Sequence, residues 1–413
     1  MRSPTVDRQL ITVTIGLVLF GLATLYSAGQ TDVPTRAAGV WYRQFFWFGL
    51  GIVAAGIIFH VSLRVLEWLS PALYAFSVLL LGVVLLVGTG AGTAEGSHSW
   101  LSIGGHQIGQ PSELAKVATV LMLARYLSSR KEPPRSLRDL VGPVLIVGVP
   151  CLMVLKQPDL GSTLVFVGIF FAMLFWGGVR PRMLFLLATP VVSLLLAFNT
   201  VAWSVWIIVF VLVLIAWRPY VWDWVTFLAA NLVMGAIAMP LWHRLAPYQQ
   251  NRLLTFINPE ADPRAAGYHA IQSRVAIGSG GWFGTGYTQG PQKRLAFLPE
   301  QHTDFVFSVV GEELGFVGVF IALCLFLALF LVLVRIARRA TDSFSSLTVF
   351  GIVGLFFTHV FENVGMTVNL MPITGIPLPF FSYGGSFFII CSLCLGLALR
   401  VAWDSRLSGY TEA

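Results

Sequence analysis

Long apolar runs recur along the whole chain and are separated by short polar stretches. A run of roughly 20 mainly apolar residues is long enough for a helix to cross the hydrocarbon core of a bilayer. The run at 112–128 is the most polar, because it contains Glu113, Lys116 and Arg125. The predicted spans are 9–28, 41–59, 71–89, 112–128, 140–156, 160–177, 183–199, 202–217, 222–240, 305–335, 345–371 and 385–403.

The composition agrees with this pattern. Of the 413 residues, 56% are hydrophobic and 11% are charged, whereas soluble domains average about 25% charged residues. These values exclude a nucleic-acid-binding domain, a disulfide scaffold, a coiled coil and a disordered chain, so the net charge of +7 does not imply a nucleic-acid partner. The sequence therefore predicts an all-α polytopic membrane protein with about twelve transmembrane helices, in which residues 1–413 form a single domain.

Lys and Arg are distributed unevenly between alternate gaps of the predicted spans. The gaps that share a side with both termini hold sixteen of them, and the other gaps hold nine, six of which lie in the long segment 241–304. Basic residues in short loops mark the cytoplasmic side of a membrane. Both termini are therefore predicted to be cytoplasmic, and segments 90–111 and 241–304 are predicted to lie on the outer face, with 241–304 as one large extracytoplasmic loop.

Ionisable residues at the ends of spans are costly in a bilayer and therefore informative. Glu113 and Lys116 lie three residues apart at the outer end of the fourth span, where they form either a functional pair or only a buried ion pair. Asp159 lies in the tight turn 157–161, where a carboxylate would cap the sixth span; that role does not exclude a function. These groups collect toward the predicted outer face.

The eleventh span has one polar face, which favours hydrogen bonds between helices over chemistry. We interpret Glu312 and Glu313, near the start of the tenth span, as structural in the same way. The polar face consists of His359, Glu362, Asn363, Met366 and Asn369.

The long outer segment contains a predicted short amphipathic helix at 268–277 and a glycine-rich stretch at 278–286. A nucleotide-binding loop is not expected at that stretch, since no strand precedes it. A nest of backbone N–H groups near a diphosphate is one alternative; a close-packed turn at the membrane surface is the default.

Three side chains of the outer segment are candidates for chemistry. Asp262 precedes Pro263, which disfavours a helical conformation and presents the carboxylate from an extended turn. His302 and Asp304 suggest a metal site, but two candidate ligands two residues apart are too few to define one.

Five strings of residues spread over nearly the whole chain resemble the SEDS family (shape, elongation, division and sporulation). They are long and occur in the same order, so chance does not explain them. They are IGQPSELAK at 108–116, QPDLG at 157–161, the stretch 258–286, the stretch 298–315 and NLMPITGIPLPFFSYGGS at 369–386.

The resemblance implies an enzyme of the bacterial inner membrane: a peptidoglycan glycosyltransferase that polymerises lipid II for cell elongation and rod shape. It also implies undecaprenyl-diphosphate-linked glycan as substrate, membrane lipid around the helices, and a class B penicillin-binding protein and other elongation-complex proteins as partners. Asp262 matches the family's essential loop aspartate. Residues assigned to substrate binding are Glu113, Lys116, Asp159, Trp100, Arg252, Glu300, His302, Asp304 and Ser382.

The chain departs from the family pattern in three places. Family members commonly have Arg before the Trp of the 90–111 loop, and here Ser99 precedes Trp100. Phe387 replaces a second Ser in the closing motif. About 40 residues within 183–240 are surplus to the family core of about ten spans. Two extra spans would account for them and would preserve the sidedness of everything downstream.

The expected reaction is an inverting displacement at the anomeric carbon, with undecaprenyl diphosphate as leaving group. Such a step needs a base for the attacking hydroxyl and neutralisation of the departing diphosphate. We hypothesise that Asp262 is the base and that Lys116, Arg252 or a divalent cation (Mg²⁺ or Mn²⁺) neutralises the diphosphate. Trp100 either stacks on a sugar or anchors the chain at the membrane interface.

Two other functions remain open on the sequence alone. One is a lipid II flippase or transporter, and the other is a non-catalytic scaffold for a penicillin-binding protein. A transporter tends to place its sites near the midplane on broken helices, often with inverted repeats, which this sequence does not show. A scaffold would not need the Asp262 carboxylate.

Overall fold

A computed structural model describes residues 6–35, 37–89, 99–103, 106–217, 221–245, 247–261, 267–298 and 300–411. Within these ranges the chain is almost entirely helical. In chain order the helices are α1 (Arg8–Ala28), α2 (Val40–His60), α3 (Leu63–Val87), α4 (Pro111–Ser128), α5 (Leu137–Lys156), α6 (Leu160–Trp176), α7 (Pro181–Leu196), α8 (Thr200–Trp217), α9 (Val221–Arg244), α10 (Pro247–Ile257), α11 (Tyr268–Ser279), α12 (Pro291–Arg294), α13 (Val306–Arg339), α14 (Ser343–Thr367) and α15 (Gly385–Thr411).

Nine of the described helices are long and apolar enough to cross a membrane. Helices α6 and α7 are shorter but apolar, and α4 has 18 residues that include the charged positions predicted at its ends. Together these twelve helices match the predicted spans to within a few residues, apart from the third and the last, whose helices extend about eight residues beyond the predicted ends. The predicted fold class, an all-helical polytopic membrane protein, is confirmed.

Helix α14 lies at the centre of the bundle. It packs against α4, α6, α13 and α15, and 72% of its most apolar stretch is buried, against 11% for α2 and α8. Small residues allow its close approach to α6: a Cβ at Gly354 would lie 2.6 Å from Ala172 Cβ. Such small-residue contacts are typical of helix packing in membranes, and they place the polar face of α14 in the interior.

The region of the predicted insertion forms a group of three helices, α7, α8 and α9, which pack mainly on one another. Buried polar side chains link them, among them Ser193 of α7 and Asn231 of α9. Asn231 of α9 donates to Thr189 Oγ1 of α7 at 2.9 Å and accepts from Trp206 Nε1 of α8 at 3.2 Å. Interhelical hydrogen bonds of this kind stabilise helix association where no water competes.

Before α4 the chain forms a small antiparallel hairpin, β1 (Leu101–Ile103) and β2 (His106–Gly109), which the sequence did not predict. The long segment between α9 and α13 contains α10, α11, α12 and a short 3₁₀ turn. The helix predicted at 268–277 is confirmed as α11. We call the end of the bundle that carries this long segment and the hairpin the loop face.

The Asn231 contacts predict a loss of stability without a loss of the fold. Replacement by Leu (Asn231→Leu) leaves the Trp206 N–H unpaired inside the group and should lower the free energy of unfolding by about 1–3 kcal/mol. Thermal unfolding of the purified protein in detergent would measure this. Ser204→Ala is the matched control, because that exposed hydroxyl of α8 bonds only its own helix; equal melting temperatures for the two variants would refute the role of Asn231.

Candidate active site

Helix α4 positions Glu113 and Lys116 on one face, because residues three apart in a helix are neighbours. Lys116 Nζ donates to Glu113 Oε1 at 2.7 Å, and both side chains are buried near the loop face. The predicted ion pair therefore exists. An ion pair this deeply buried needs further hydrogen bonds to offset the loss of hydration.

His359 of α14 supplies the second partner of Lys116. Its Nδ1 lies 3.0 Å from the Pro377 carbonyl oxygen, which can only accept, so Nδ1 carries the proton. The other ring nitrogen, Nε2, then accepts from Lys116 Nζ at 3.0 Å. The imidazole is therefore neutral, and Lys116 keeps one of its three N–H donors uncommitted to these two partners. Sequence analysis assigned His359 to interhelical hydrogen bonding, which is correct, but did not identify this partner.

Phe387, one of the departures from the family pattern, lies in the same cluster. Its ring stacks on the His359 imidazole with centroids 4.7 Å apart. Lys116 Nζ lies 5.9 Å from the ring centroid, within range of a cation–π contact. The aromatic ring thus covers the ion pair on the side where the family has a hydroxyl. We call Glu113, Lys116, His359 and Phe387 the inner cluster.

Asp159 lies beside the inner cluster at the start of α6. Its Oδ1 accepts from the Ser162 backbone N–H at 2.9 Å, so the predicted N-cap is confirmed. Its Oδ2 accepts from Gln110 Nε2 at 2.7 Å, which ties the start of α6 to the start of α4. The carboxylate also interacts electrostatically with Glu113 and Glu362.

A second polar group, the outer cluster, forms where the long segment enters α13. It contains Arg252 of α10, His269 of α11, and Glu300, His302 and Asp304. Glu300 adopts a left-handed conformation (φ 48°) and its carbonyl accepts from the backbone N–H of Asp304 at 3.1 Å. The Glu300 carboxylate lies 3.9 Å from His302 Nε2.

Asp304 is the most perturbed acid of the outer cluster. It is partly buried, and burial, reinforced by the Glu300 carboxylate, raises its pKa to about 7. Arg252 opposes this effect only weakly. A carboxyl group with a pKa near neutrality can donate or accept a proton under physiological conditions. Asp304 was predicted from the sequence to bind substrate, but its raised pKa was not predicted.

His269 is a member of the outer cluster that sequence analysis did not assign. Burial lowers the pKa of its imidazole, and Arg252 lowers it further, while Glu300 acts in the opposite direction. Its ring stacks on Phe305 with centroids 6.0 Å apart. The only signal in the sequence was a polar residue on a predicted amphipathic helix, which is common on any surface helix.

Ser382 and Asn363 hold the surrounding segments together. Ser382 Oγ accepts from the Leu378 backbone N–H and donates to the Thr303 carbonyl at 2.7 Å. Asn363 Nδ2 donates to the carbonyls of Asp304 and Ile376. Ser382 was predicted to bind substrate, and the structure shows it bridging the two segments that carry the outer cluster.

Trp100 lies next to the hairpin, and its backbone pairs with Thr89. The adjacent Ser99 hydroxyl donates to the Gln157 carbonyl at 3.4 Å, which brings this strand close to the turn that carries Asp159. The choice between sugar stacking and membrane anchoring for the indole of Trp100 stays a prediction. Asp262 lies outside the described residues, between the 3₁₀ turn Pro259–Ala261 and α11.

The glycine stretch 278–286 packs against the start of α13, as the default interpretation expected. Thr285 N and Gly286 N donate to the carbonyls of Glu312 and Glu313. A Cβ at Gly284, which has φ 83°, would lie 2.0 Å from the Glu313 carbonyl oxygen. These N–H groups are bonded to the helix, which argues against a diphosphate nest there.

Glu312 and Glu313 are structural, as interpreted from the sequence. Glu312 accepts from the backbone N–H groups of Gln292 and Lys293. Glu313 Oε1 lies 2.7 Å from Lys293 Nζ in a fully buried ion pair, and Ser27 of α1 bonds both partners. Sequence analysis missed Lys293, because nothing in the string Pro291–Arg294 distinguishes a buried lysine from an exposed one.

A protein-family model matches nearly the whole chain. The FtsW/RodA/SpoVE model, described as a cell cycle protein, matches residues 7–206 and 187–407. The chain belongs to this family. The two matched segments overlap at 187–206, within the region of the predicted insertion.

Curated relatives of this family member match over nearly their whole length. Peptidoglycan glycosyltransferase RodA of Treponema pallidum (strain Nichols) is 34% identical. The alignment covers 96% of this chain and 97% of the relative's length. Peptidoglycan glycosyltransferase MrdB of Escherichia coli (strain K12) is 32% identical, and the alignment covers 96% of this chain and 93% of the relative's length. The family resemblance seen in the sequence is confirmed.

Solved structures agree with the fold. One solved chain comes from a structure titled structural coordination of polymerization and crosslinking by a peptidoglycan synthase complex. It aligns with a TM-score of 0.70 and 32% identity, and the alignment covers 97% of this chain and 98% of the solved chain. The Rod shape determining protein RodA of Thermus thermophilus aligns with a TM-score of 0.63, 29% identity and 97% coverage of each chain.

The Lys293–Glu313 pair gives a test of this architecture. Lys293→Met or Glu313→Gln alone leaves one buried group unpaired and should reduce the free energy of unfolding by about 3–5 kcal/mol. The double variant Lys293→Met/Glu313→Gln should lose less than the sum of the two. Thermal unfolding of the four proteins in one detergent measures this coupling; additive losses would show that the two groups do not interact.

Asp304 gives a pH-dependent prediction. Because its folded-state pKa of about 7 exceeds the usual value of 3.8, its protonated form stabilises the fold. That contribution is complete below about pH 3.8 and disappears as the pH rises through about 7. The melting temperature of the wild type relative to Asp304→Asn should therefore fall between about pH 4 and about pH 7. A constant difference would mean that Asp304 titrates normally.

Proposed function

We propose that this chain is a peptidoglycan glycosyltransferase that polymerises lipid II into β-1,4 glycan strands for cell elongation and rod shape. Two relatives that match over 96% of the chain are named peptidoglycan glycosyltransferases. The observation that carries the proposal is the inner cluster with Asp159: a buried ammonium and several carboxylates collected at the loop face of the bundle.

The proposed orientation puts the loop face outside the cytoplasmic membrane and both termini in the cytoplasm. The uneven distribution of Lys and Arg supports it. Lipid II presents its sugars on the outer leaflet before polymerisation, so an enzyme acting on them needs its polar cluster at that level. The inner and outer clusters both lie at the loop face.

The proposed step joins two membrane-anchored substrates. The 4-hydroxyl oxygen of an N-acetylglucosamine unit attacks the anomeric carbon of a muramyl unit, and the bond to undecaprenyl diphosphate breaks with inversion. Asp262 takes the hydroxyl proton as general base. The diphosphate leaves with the bonding electrons, and its charge is met by a cation, with Arg252 and Lys116 as the candidates among the described side chains.

A divalent cation was a further candidate for the diphosphate. Among the described residues, no group of three or more His, Cys, Asp or Glu side chains is arranged to hold a metal ion. The described side chains alone form no such site, and no step of the proposed mechanism is assigned to a metal.

The proposed partner is a class B penicillin-binding protein that crosslinks the new strands, together with other elongation-complex proteins. The aligned chain from a peptidoglycan synthase complex, which couples polymerisation to crosslinking, supports this partner. Polymerisation of lipid II by the purified protein in detergent separates the polymerase from a flippase and from a scaffold. Neither a flippase nor a scaffold would make glycan strands in this assay.

Asp262→Ala should abolish glycan synthesis from lipid II by the purified protein with its partner, with a loss of at least about 100-fold, because the general base is removed. Gel analysis of labelled glycan strands measures it. Glu260→Gln is the matched control: it removes an exposed carboxylate two residues away and should retain wild-type activity. Full polymerisation by Asp262→Ala would reject the assignment of the base.

A further inference from the structure

Glu362 of α14 is a buried carboxylate without a hydrogen-bond partner. It is 1% exposed, and neither of its oxygens has a donor in hydrogen-bonding geometry among the described residues. The Thr374 hydroxyl is the nearest donor and acts on the carboxyl group as a hydrogen-bond donor would, but its geometry falls outside that of a hydrogen bond, and the hydroxyl has no other partner in the described chain. Buried polar groups are almost always hydrogen-bonded, so an unpaired buried carboxylate calls for an explanation.

The other buried carboxylates show how unusual Glu362 is. Each of the others in the described ranges has a cation or an N–H group as donor, as expected for acids taken out of water. The partnered acids are Asp7 with Arg335 and Arg406, Glu113 with Lys116, Glu312 with the N–H groups of Gln292 and Lys293, and Glu313 with Lys293. An unpaired acid destabilises a fold, and such groups persist at functional sites.

Glu362 lies next to the inner cluster. It follows His359 by one turn of α14, and it interacts electrostatically with Lys116 and Asp159. The next residue, Asn363, bonds the carbonyls of Asp304 and Ile376. Glu362 is therefore next to the cation that the inner cluster holds and beside the segment that carries Asp304.

The charges around this position favour a neutral ligand. The carboxyl groups of Glu113 and Glu362 lie near the single ammonium of Lys116, Asp159 lies near both of these acids, and His359 is neutral. An incoming diphosphate would meet more negative than positive charge at short range, where the low dielectric strengthens repulsion. Sugar hydroxyls and amide N–H groups are donors that unpaired carboxylate oxygens accept.

We infer that Glu362 is a substrate-binding residue that accepts hydrogen bonds from the neutral saccharide of lipid II, and that the diphosphate is not bound at Lys116. This inference rests on the proposed function. It assigns the inner cluster to sugar recognition. It also gives Lys116 a different role: its remaining N–H donor would serve a sugar oxygen.

Two variants of the full-length protein, assayed in detergent with its partner, test the inference. Glu362→Leu removes the acceptor and should raise the KM for lipid II by about 10- to 100-fold. Glu362→Gln keeps an acceptor oxygen of the same shape and should raise it by less, about 3- to 10-fold. Neither variant should melt at a lower temperature than the wild type, because no protein hydrogen bond is lost.

The matched control is Glu313→Gln, a buried acid with a partner. It should lower the melting temperature and leave the KM of the folded protein unchanged. Inhibition by undecaprenyl diphosphate, which has no sugar, separates the two parts of the substrate: its inhibition constant should be the same for Glu362→Leu and the wild type.

The inference would be overturned if Glu362→Leu had an unchanged KM for lipid II. It would also be overturned if Glu362→Leu lost as much melting temperature as Glu313→Gln, or if its inhibition constant for undecaprenyl diphosphate rose in parallel with KM. These failures differ from failure of the proposed function, which would appear as a wild-type protein that does not polymerise lipid II at all. Because Glu362→Gln preserves size and shape, it keeps the test decisive if Glu362→Leu does not fold.

Discussion

The Lys116 ammonium has no exposed surface, and this buried charge constrains everything packed around it. Removing an ammonium from water is costly unless acceptors surround it. Glu113 supplies one from the same helix, and His359 supplies the other from the central helix α14. His359 can do so only because the Pro377 carbonyl fixes its tautomer. The charge therefore ties α4, α14 and the segment after α14 into one arrangement.

The rest of the loop face depends on that arrangement. Gln110, just before α4, bonds Asp159 and so fixes the start of α6. Asn363, on the same face of α14 as His359, holds the carbonyls of Asp304 and Ile376. The outer cluster is thus fixed relative to the inner one through a single helix. A glycosyltransferase that handles an uncharged sugar and a diphosphate in one step benefits from two polar regions that are held rigidly relative to each other.

The spans, the Glu113–Lys116 pair and the Asp159 cap could be predicted from the sequence because each depends on local spacing or apolar length. The partners of Lys116 and Lys293 could not, because they come from helices far apart in the chain: His359 is 243 residues from Lys116, and Ser27 is 266 from Lys293. The raised pKa of Asp304 could not be predicted from the sequence either, since it arises from burial by tertiary packing. Helices α7, α8 and α9 were predicted from apolar length, but the Asn231 hydrogen bonds that link them required the structure.

We propose that lipid II is processed at the two clusters of the loop face. Photo-crosslinking with a lipid II analogue that carries its reactive group on the saccharide tests it most directly, with adducts located by mass spectrometry of the purified protein. The account predicts adducts in the segments 108–116, 157–162 and 359–378. Adducts confined to the opposite end of the bundle, or to the outward surfaces of α7, α8 and α9, would contradict it.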